Sequence, residues 1–409
     1  MQRVERHMIL KSSLDWSRID NLSFACKNLY NRANYVIRQT FIKTSKEVEE
    51  GKREHAIYLN YYEIDKLARQ EQWEEYKALP TQTAQQTLRL LDLAWKSFFK
   101  AIKEWKKNPS KFNSRPKLPK YKHKTKGRSP VIFTNQQVKL KDGYVYFPKK
   151  AGLKPLKTRV INIKQVRIVP QSTCYVIEVV YEKEVKDYEL DDRLYLGIDL
   201  GVNNLATLTS NKKGLRPIFV NGRPVKSINQ YYNKKKAKLM SFIGNKGTSK
   251  RIEKLTHKRN QKIQDYLHKS SRLIIDYCLI HRIGTIVIGQ NKEWKRNINI
   301  GKQNNQNFVS IPFSTLIQQI QYKAEEVGIT VITDNEAYTS KCSFLDLEPI
   351  EKRETYLGKR VKRGLFRSAK GKLMNADINA AFNIIRKAVP NAFADGIEGV
   401  GLHPVKVSF

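Results

Sequence analysis

The segment "LYLGIDL", Leu194–Leu200, constrains the fold most, because it is a nearly continuous apolar run that contains one carboxylate. A short run of this kind predicts a strand that is covered on both faces. The candidate strands "LATLTS" and "RPIFVNG" come next, and a basic helical stretch follows over about 225–281. The strand "TIVIG", a helix over about 312–327, the strand "GITVIT" and a helix over about 377–387 complete the order. Three strand runs followed by alternating helix and strand predict a mixed α/β sheet.

Two aspartates are the candidate catalytic residues of such a sheet. Asp199 interrupts the apolar strand, where a carboxylate is costly to bury unless it is paired or bound to a metal; the alternative is a turn former before Gly201. Asp377 begins the helix of "NADINAAFNIIRK", where an acid can also simply satisfy free amides and complement the helix dipole. Because two-metal phosphodiester hydrolysis uses several carboxylates, the pair predicts a metal site in a sheet of ribonuclease H type.

The N-terminal part of the chain has a different pattern of apolar residues. Residues 3–10 predict a short strand, and helical periodicity then continues to about Lys107. From Val131 to about Lys183 the strand signals are "YVYF", "RVINI", "QVRIV" and "CYVIEVVYEK", which predict a small sheet or barrel. The first strand could pair with these, and the helical region would then be an insertion.

The net charge of the chain indicates which class of molecule it binds. Lys and Arg number 77 against 38 Asp and Glu, which gives a formal net charge of +39 spread along 409 residues. This is the electrostatic footprint of a nucleic-acid-binding protein. A membrane role is the competitor, but no stretch approaches the roughly 18 to 20 apolar residues of a spanning helix, and the first ten residues do not form a signal peptide.

Basic segments predict where nucleic acid binds. The linker "KKNPSKFNSRPKLPKYKHKTKGRSP" interleaves prolines and aromatics with lysines, which suits an ordered loop that grips phosphates. The long basic helical stretch offers Lys and Arg at recurring positions. The alternatives are a solvated linker and a solubilising helix face. The predicted contacts are Lys117, Lys120, Tyr121, Lys122, Lys258, Arg259, Lys262, His268 and Arg272.

The four cysteines predict neither disulfides nor a zinc site. Cys26, Cys174, Cys278 and Cys342 never approach CxxC spacing, so small buried hydrophobic roles are expected. This usage fits a reducing cytoplasm.

Four motifs together carry a family resemblance: "GIDLGVNNLATLTS", "SRPKLPKYK", "YTSK" and "NADINAAFNI". They resemble TnpB, the transposon-encoded RNA-guided DNA nucleases related to the type V CRISPR effectors, over essentially the whole chain. The resemblance implies a multidomain α/β protein in which a helical recognition lobe is inserted in a β-barrel wedge domain, followed by a RuvC nuclease domain. It also implies a guide RNA and a short target-adjacent motif read on duplex DNA.

The domain boundaries that the resemblance implies fall where the pattern of predicted helices and strands changes. Residues 1–12 would be the first wedge strand, and residues 13–107 the recognition domain. The basic linker and the rest of the wedge would occupy 108–190, and the RuvC-like domain 191–390. An insertion at 338–372 and a tail at 391–409 complete the division.

The resemblance assigns Asp199 and Asp377 to the first and third RuvC acids, but the second acid departs from the pattern. Where the family ends a strand with Glu, this chain has Gly289. Glu336, just past the neighbouring strand "GITVIT", is the preferred replacement; Asp334 and Glu293 are weaker alternatives, and a fourth option is that nothing replaces the acid. Asp334 would share a face with Glu336 by the two-residue period.

The zinc ribbon implied by the resemblance departs as well. Only Cys342 is present in "YTSKCSFLDLE", and a structural zinc needs four ligands. No zinc is therefore predicted, although a ribbon-shaped segment could be held by other contacts. The loop "YLGKRVKRGLFRS" resembles the family's basic loop beside the active site, so Arg360 and Arg363 are predicted nucleic-acid contacts.

These observations predict an RNA-guided DNA endonuclease in which Asp199, Glu336 and Asp377 hold two Mg²⁺ ions, with Mn²⁺ as a substitute. Its partners would be guide RNA, double-stranded target DNA and the displaced single strand, bound by a monomer. The alternative is an RNA-guided DNA-binding protein that has lost cleavage and acts as a repressor does. A transposase that acts without RNA is a third, weaker hypothesis.

Overall fold

A computed structural model describes residues 1–291 and 301–409. These residues form two compact units, Gln2–Lys183 and Glu184–Phe409. In the described ranges no helix is long and apolar enough to cross a membrane.

The first unit combines antiparallel sheets with a helical layer. Its strands are β1 (Gln2–Leu10), β2 (Val131–Thr134), β3 (Lys139–Lys141), β4 (Tyr144–Tyr146), β5 (Leu156–Lys157), β6 (Ile163–Pro170) and β7 (Cys174–Glu182). Its helices are α1 (Trp16–Glu49), α2 (Tyr61–Gln70), α3 (Glu74–Lys77) and α4 (Thr81–Lys107), with 3₁₀ turns at Pro109–Lys111 and Lys149–Ala151.

The first strand pairs with the last strand of this unit, as predicted. β1 and β7 are antiparallel along their whole length, from Gln2 opposite Glu182 to Leu10 opposite Cys174. The sheet order is β1-β7-β6-β2. The four helices therefore lie in sequence between two strands of one sheet, and the helical region is an insertion.

The expected closed β-barrel is wrong. Residues 2–183 form a four-stranded sheet and a separate three-stranded sheet, β3-β4-β5. Closure would require the edge strands β1 and β2 to pair, but β2 has only four residues, and it packs against α1 and α4. The predicted strand "RVINI" is also wrong over 159–162, where the chain makes a bend with Ile161 exposed.

The helical layer is built on the apolar stripe predicted from the sequence. α1 buries Ile19, Leu22, Cys26, Leu29, Ala33 and Ile37, which recur at three- and four-residue steps. Trp95 of α4 is fully buried against this stripe, and its indole nitrogen donates to Asn34 Oδ1 at 3.0 Å. The polar end of the tryptophan is therefore satisfied inside the core.

An ion pair ties α1 to the basic linker and to the sheet. Arg128 donates to both oxygens of Asp20, at 2.8 and 2.7 Å, and the Tyr175 hydroxyl donates to Asp20 at 2.6 Å. The hydrogen bond from Arg128 holds the pKa of Asp20 below its ordinary value.

We expect Asp20→Asn to lower the free energy of unfolding at pH 7 by about 1.5 to 3 kcal/mol, the worth of hydrogen bonds to a charged group. Because folding lowers the pKa of Asp20, its contribution is present above the ordinary value of 3.8 and is lost as pH falls through the folded pKa. Denaturant unfolding of parent and variant from pH 7 to 3 measures this. A difference that stays constant over that range would contradict the assignment.

The second unit is built on a six-stranded mixed sheet. Its strands are β8 (Asp191–Leu200), β9 (Asn204–Ser210), β10 (Ile218–Asn221), β11 (Ile283–Gly289), β12 (Thr330–Asp334), β13 (Lys359–Lys362), β14 (Leu365–Arg367), β15 (Leu373–Asn375) and β16 (Val405–Val407). Its helices are α5 (Arg223–Ser241), α6 (Lys250–His281), α7 (Lys302–Val309), α8 (Phe313–Glu325) and α9 (Ala376–Ala388), with a 3₁₀ turn at Pro390–Phe393.

The sheet order is β12-β11-β8-β9-β10-β16. β8, β9 and β10 are antiparallel neighbours, β11 and β12 run parallel to β8, and β16 runs parallel to β10. β13, β14 and β15 form a separate small antiparallel sheet that leads directly into α9. The predicted mixed α/β architecture is confirmed, while β16, α7 and the small sheet were not predicted.

Candidate active site

Gly197 and Gly289 let α9 approach the central strands. A Cβ on Gly197 would lie 2.4 Å from the carbonyl oxygen of Ala381, so only a glycine fits there without a shift. Asp199 lies two residues along β8 and therefore faces α9 as well. Asp377 lies one helical turn before Ala381. The close packing of strand and helix thus brings the two aspartates to the same edge of the sheet.

Asp377 is held by two asparagines. Asn375 is the N-cap of α9 and accepts from the Asp377 amide at 2.8 Å, so Asp377 does not itself cap the helix. Asn204, at the start of β9, donates its amide to Asp377 Oδ2 at 2.9 Å. One carboxylate oxygen, Oδ2, is therefore oriented by β9.

Asp199 lies in the most perturbed electrostatic environment of this site. Burial raises its pKa well above 3.8, and the nearby charges of Asp377 and Glu336 raise it further, while Arg360 lowers it. No hydrogen-bond donor to the Asp199 carboxylate is found in residues 1–291 and 301–409. Like charges close together oppose ionisation, so a bound cation would stabilise the ionised form.

The Cβ of Glu336 lies beside the position that a Cβ on Gly289 would take. A Cβ built on Gly289 would lie 3.2 Å from the Cβ of Glu336 and 2.5 Å from Cδ1 of Ile384 on α9. Gly289 ends β11 and pairs with Asp334 in the parallel ladder with β12. The space beside Gly289 is therefore occupied by Ile384 and by the base of the Glu336 side chain.

The two weaker replacements are placed differently. Asp334 accepts from the Asn335 amide at 2.7 Å, which is a local turn contact, and its carbonyl accepts from the Gln290 amide. Glu293 lies outside the described residues. The charged groups that the structure brings together are thus Asp199, Asp377, Glu336 and Arg360.

The donor set fits a hard divalent ion by type. All three acids present carboxylate oxygens, which Mg²⁺ prefers, and their mutual repulsion favours a cation between them. As the side chains stand, however, no group of three His, Cys, Asp or Glu in the described ranges is arranged to hold a metal ion. The carboxylates would have to close on the ion when it binds.

The segment around Cys342 is held by the side chains of α9. Asn379 donates to the Cys342 carbonyl at 2.8 Å and accepts from the Phe344 amide at 2.8 Å. Asn383 donates to the carbonyls of Thr339 and Cys342, at 3.0 and 2.7 Å. These contacts join the segment to the helix that carries Asp377.

Inside the segment, Glu348 closes the loop. It is almost fully buried and accepts from the amides of Ser343 and Leu357, at 2.7 and 2.9 Å. Cys342 is also buried, and burial raises the pKa of its thiol. Phe344 stacks on Phe382 of α9 with ring centroids 4.3 Å apart. Hydrogen bonds and aromatic packing therefore order this segment.

The predicted contacts in the basic linker lie against α1. Lys117, Lys120 and Tyr121 are exposed and Lys122 is half-buried. Arg38 stacks over the Tyr121 ring at 5.2 Å. Asn31 of α1 exchanges two hydrogen bonds with the backbone of Lys122. The linker is thus an ordered loop with exposed cations.

The predicted contacts on α6 are of two kinds. Lys258, Lys262, His268 and Arg272 are exposed, and Arg272 lies 3.6 Å from Asp276. The guanidinium of Arg259 instead donates to Asn229 and to the carbonyl of Ser310, and burial lowers its pKa. Arg259 therefore connects α6 to α5 and to the residue that follows α7. Arg360 and Arg363, on and beside β13, are exposed. Nucleic-acid binding by all of these residues stays a prediction.

Sequence reasoning missed the asparagines that build the site. Asn375 could have been found, because Asn is a preferred N-cap residue and lies just before a helical pattern. Asn379 and Asn383 are four residues apart on one helix face, which is a weak signal. Asn204 has no local signal, since its partner is 173 residues away.

Comparison with known proteins identifies the family. A family model described as a probable transposase, OrfB of IS605, matches residues 178–295, and the Cas12f1-like TNB domain matches residues 313–384. InsQ of Escherichia coli (strain K12), named as a candidate RNA-guided DNA endonuclease, is 25% identical over 88% of this chain and 86% of its own length. The TnpB-like protein ORF457 of Acidianus two-tailed virus is 24% identical over 93% of this chain and 85% of its own.

These matches support a TnpB-family protein. The chain also matches the CRISPR-associated endodeoxyribonuclease Cas12f1 of Sulfoacidibacillus thermotolerans, at 29% identity over 53% of the chain and 50% of that relative. The Cas12f1–sgRNA–target DNA complex shares its fold with a TM-score of 0.50 and 15% identity, over 89% of this chain and 82% of that one.

Proposed function

We propose that this TnpB-family protein is an RNA-guided DNA endonuclease. The observation that carries the proposal is that Asp377, in the first turn of α9, and Glu336, after β12, lie near enough to buried Asp199 on β8 for their charges to raise its pKa. The strand order and directions around β8 support a RuvC-type nuclease domain of ribonuclease H topology. Relatives named as RNA-guided or CRISPR-associated endonucleases support the same activity.

The proposed domains follow the predicted boundaries. Residues 13–107 would be the recognition lobe, and 1–12 with 108–190 the wedge. Residues 191–390 would be the nuclease domain, with the insertion at 338–372. The proposed partners are guide RNA, duplex target DNA and the displaced strand, bound by a monomer. Base pairing would read the sequence, and the protein would read a short adjacent motif.

In this proposal Asp199, Glu336 and Asp377 hold two magnesium ions. When bound, such ions make a water molecule more acidic and stabilise charge on the leaving oxygen. Asn204 fixes one oxygen of Asp377 through its hydrogen bond. Glu336 supplies the acid that Gly289 lacks. Exposed Arg360, whose charge reaches Asp199, would contact the phosphate backbone of the strand to be cut.

Plasmid cleavage tests the function. RNA that copurifies with the protein is sequenced to define the guide, and the complex is then incubated with Mg²⁺ and a plasmid library carrying random bases beside the target. We expect specific members to be cut and the cutting to stop after ribonuclease treatment before assembly. Tight target binding without cutting would favour the repressor-like alternative, which Gly289 supports, and cutting that survives ribonuclease would favour a DNA transposase.

We expect Asn204→Ala to raise the Mg²⁺ concentration for half-maximal cleavage by about 10- to 100-fold, the usual effect of removing a group that orients a metal ligand. Magnesium titrations of the parent and the variant measure this. Asn203→Ala is the matched control, because the Asn203 contact to Gly222 is made by its backbone carbonyl. Equal magnesium dependence of all three proteins would argue against the role of Asn204.

A further inference from the structure

A groove with an aromatic floor lies between α1, α4 and the basic linker of the first unit. Its volume is about 790 Å³. The floor is formed by Phe41, Phe98, Phe99 and Ile102. These side chains are partly exposed, so apolar ring surface is accessible to a ligand.

The floor is rigid. Phe99 lies between Phe41 and Phe98, with ring centroids 5.6 and 5.3 Å away. Phe41 contacts Trp95 at 5.5 Å, and Trp95 is fixed by its hydrogen bond to Asn34. A ligand that stacks here would therefore order few side chains on binding, which favours affinity.

The opposite wall is fixed as well. The carbonyl of Pro119 accepts from Asn34 Nδ2 at 3.0 Å and from Arg38 Nη1 at 2.9 Å. Asn34 thus connects the floor, through Trp95, to the linker wall.

The rim of the groove is strongly positive. Its charged side chains are Arg38, Lys46, Lys106, Arg115, Lys117 and Lys120, against one acid, Glu49. A ligand that fits must combine a flat apolar face with a negative group. A nucleotide has both, whereas an acidic peptide has charge without a planar ring at each step. A base inside a duplex is stacked on both faces, so the floor suits an unpaired base.

We propose that this groove binds an unpaired nucleotide of the guide RNA, with its base on Phe98 and Phe99 and its phosphates on Lys117 and Lys120. The inference rests on the proposed function for the identity of the RNA. A guide keeps unpaired bases in its folded scaffold before any target arrives. Target strands become single only during R-loop formation, so the displaced DNA strand is the rival occupant.

The affinity of the protein for RNA, measured without magnesium and without target DNA, tests the proposal. We expect Phe98→Ala to weaken binding of the copurifying RNA by about 5- to 150-fold, the worth of one stacked base, and Phe98→Tyr to bind as the parent does. Tyr62→Ala, which removes a highly exposed aromatic of α2, is the matched control and should bind normally. Thermal unfolding checks that each variant is folded.

A charge variant that does not touch the floor gives a second readout. We expect Lys117→Glu/Lys120→Glu to reduce the salt dependence of RNA binding, because fewer counterions are released. Lys139→Glu, on β3, is the control. Chemical probing of the bound RNA should show one unpaired base that is protected by the parent and reactive with Phe98→Ala.

Unchanged RNA affinity and unchanged base reactivity in both groove variants would overturn the proposal. A loss confined to single-stranded DNA binding would also overturn it and assign the groove to the displaced strand. Because these assays need no cleavage, an inactive nuclease site would leave their result intact. Failure of any RNA to copurify would instead count against the proposed function.

Discussion

Glu336→Gln is expected to reduce guided DNA cleavage by more than about 100-fold while target binding stays intact. Even removing a group that merely supports a metal ligand costs about 10- to 100-fold, and the loss of a ligand should cost more. Binding should persist, because removing a negative charge beside the phosphate backbone does not weaken attraction to it. Cleavage rates and filter binding with a matched target measure the two effects.

Asp334→Asn is the matched control for Glu336→Gln. Its new amide oxygen can still accept from the Asn335 amide, so the local turn is kept. We expect Asp334→Asn and Glu293→Gln to cut as the parent does. Normal cutting by Glu336→Gln together with loss in either control would assign the second acid elsewhere.

A relocation experiment makes this test sharper. Gly289→Glu should not fully restore cutting to Glu336→Gln by itself, because its Cβ would lie 2.5 Å from Cδ1 of buried Ile384, which would have to shift. Adding Ile384→Ala should restore part of the activity by opening that space. Full rescue by Gly289→Glu alone would show that Ile384 does not exclude an acid from position 289.

The second large effect is expected at Asn383. Asn383→Leu keeps the size of the side chain but removes two donors from buried carbonyls and one acceptor from Arg386. We expect it to lower the free energy of unfolding of the second unit by about 2 to 5 kcal/mol, since several buried polar groups lose their partners. Residues 338–372 should become protease-sensitive first.

Hydrogen exchange and limited proteolysis locate the effect of Asn383→Leu. Asn391→Leu replaces an exposed asparagine of the same unit and should change stability by less than about 0.5 kcal/mol. Because Asn379 and Asn383 share the Cys342 carbonyl, the effects of Asn379→Leu and Asn383→Leu on stability should be non-additive. If hydrogen bonds rather than zinc hold the segment, a chelator should leave its protection unchanged.

Much of the candidate site could be read from local sequence. Asp199 is conspicuous because it interrupts an apolar strand, and Asp377 because it opens an amphipathic helix. The absence of an acid at Gly289 is visible in the same way. The shape of the first sheet was harder to predict. Its strands were predicted, but whether they form an open sheet or a barrel depends on whether two edge strands far apart in the chain pair.

Only the tertiary structure shows which acid lies beside Gly289, where the proposed second acid is needed. Sequence could rank Glu336 above Asp334 and Glu293 only by counting residues along a strand. The close packing of α9 on Gly197 and Gly289 places Cδ1 of Ile384 2.5 Å from a Cβ at 289, and the Cβ of Glu336 lies 3.2 Å from the same point. Spacing along a strand fixes which face a side chain takes, but not whether a helix already fills the space.

The sequence by itself predicted a nucleic-acid partner, the two aspartates and most of the strands and helices, since charge, apolar periodicity and capping act between near neighbours. Only the tertiary structure decided the role of Asn204, the attachment of the Cys342 segment and the aromatic groove. These depend on contacts between residues far apart in the chain, such as Asn204 with Asp377. Long-range packing brings such residues together, and no local pattern encodes the distance between them.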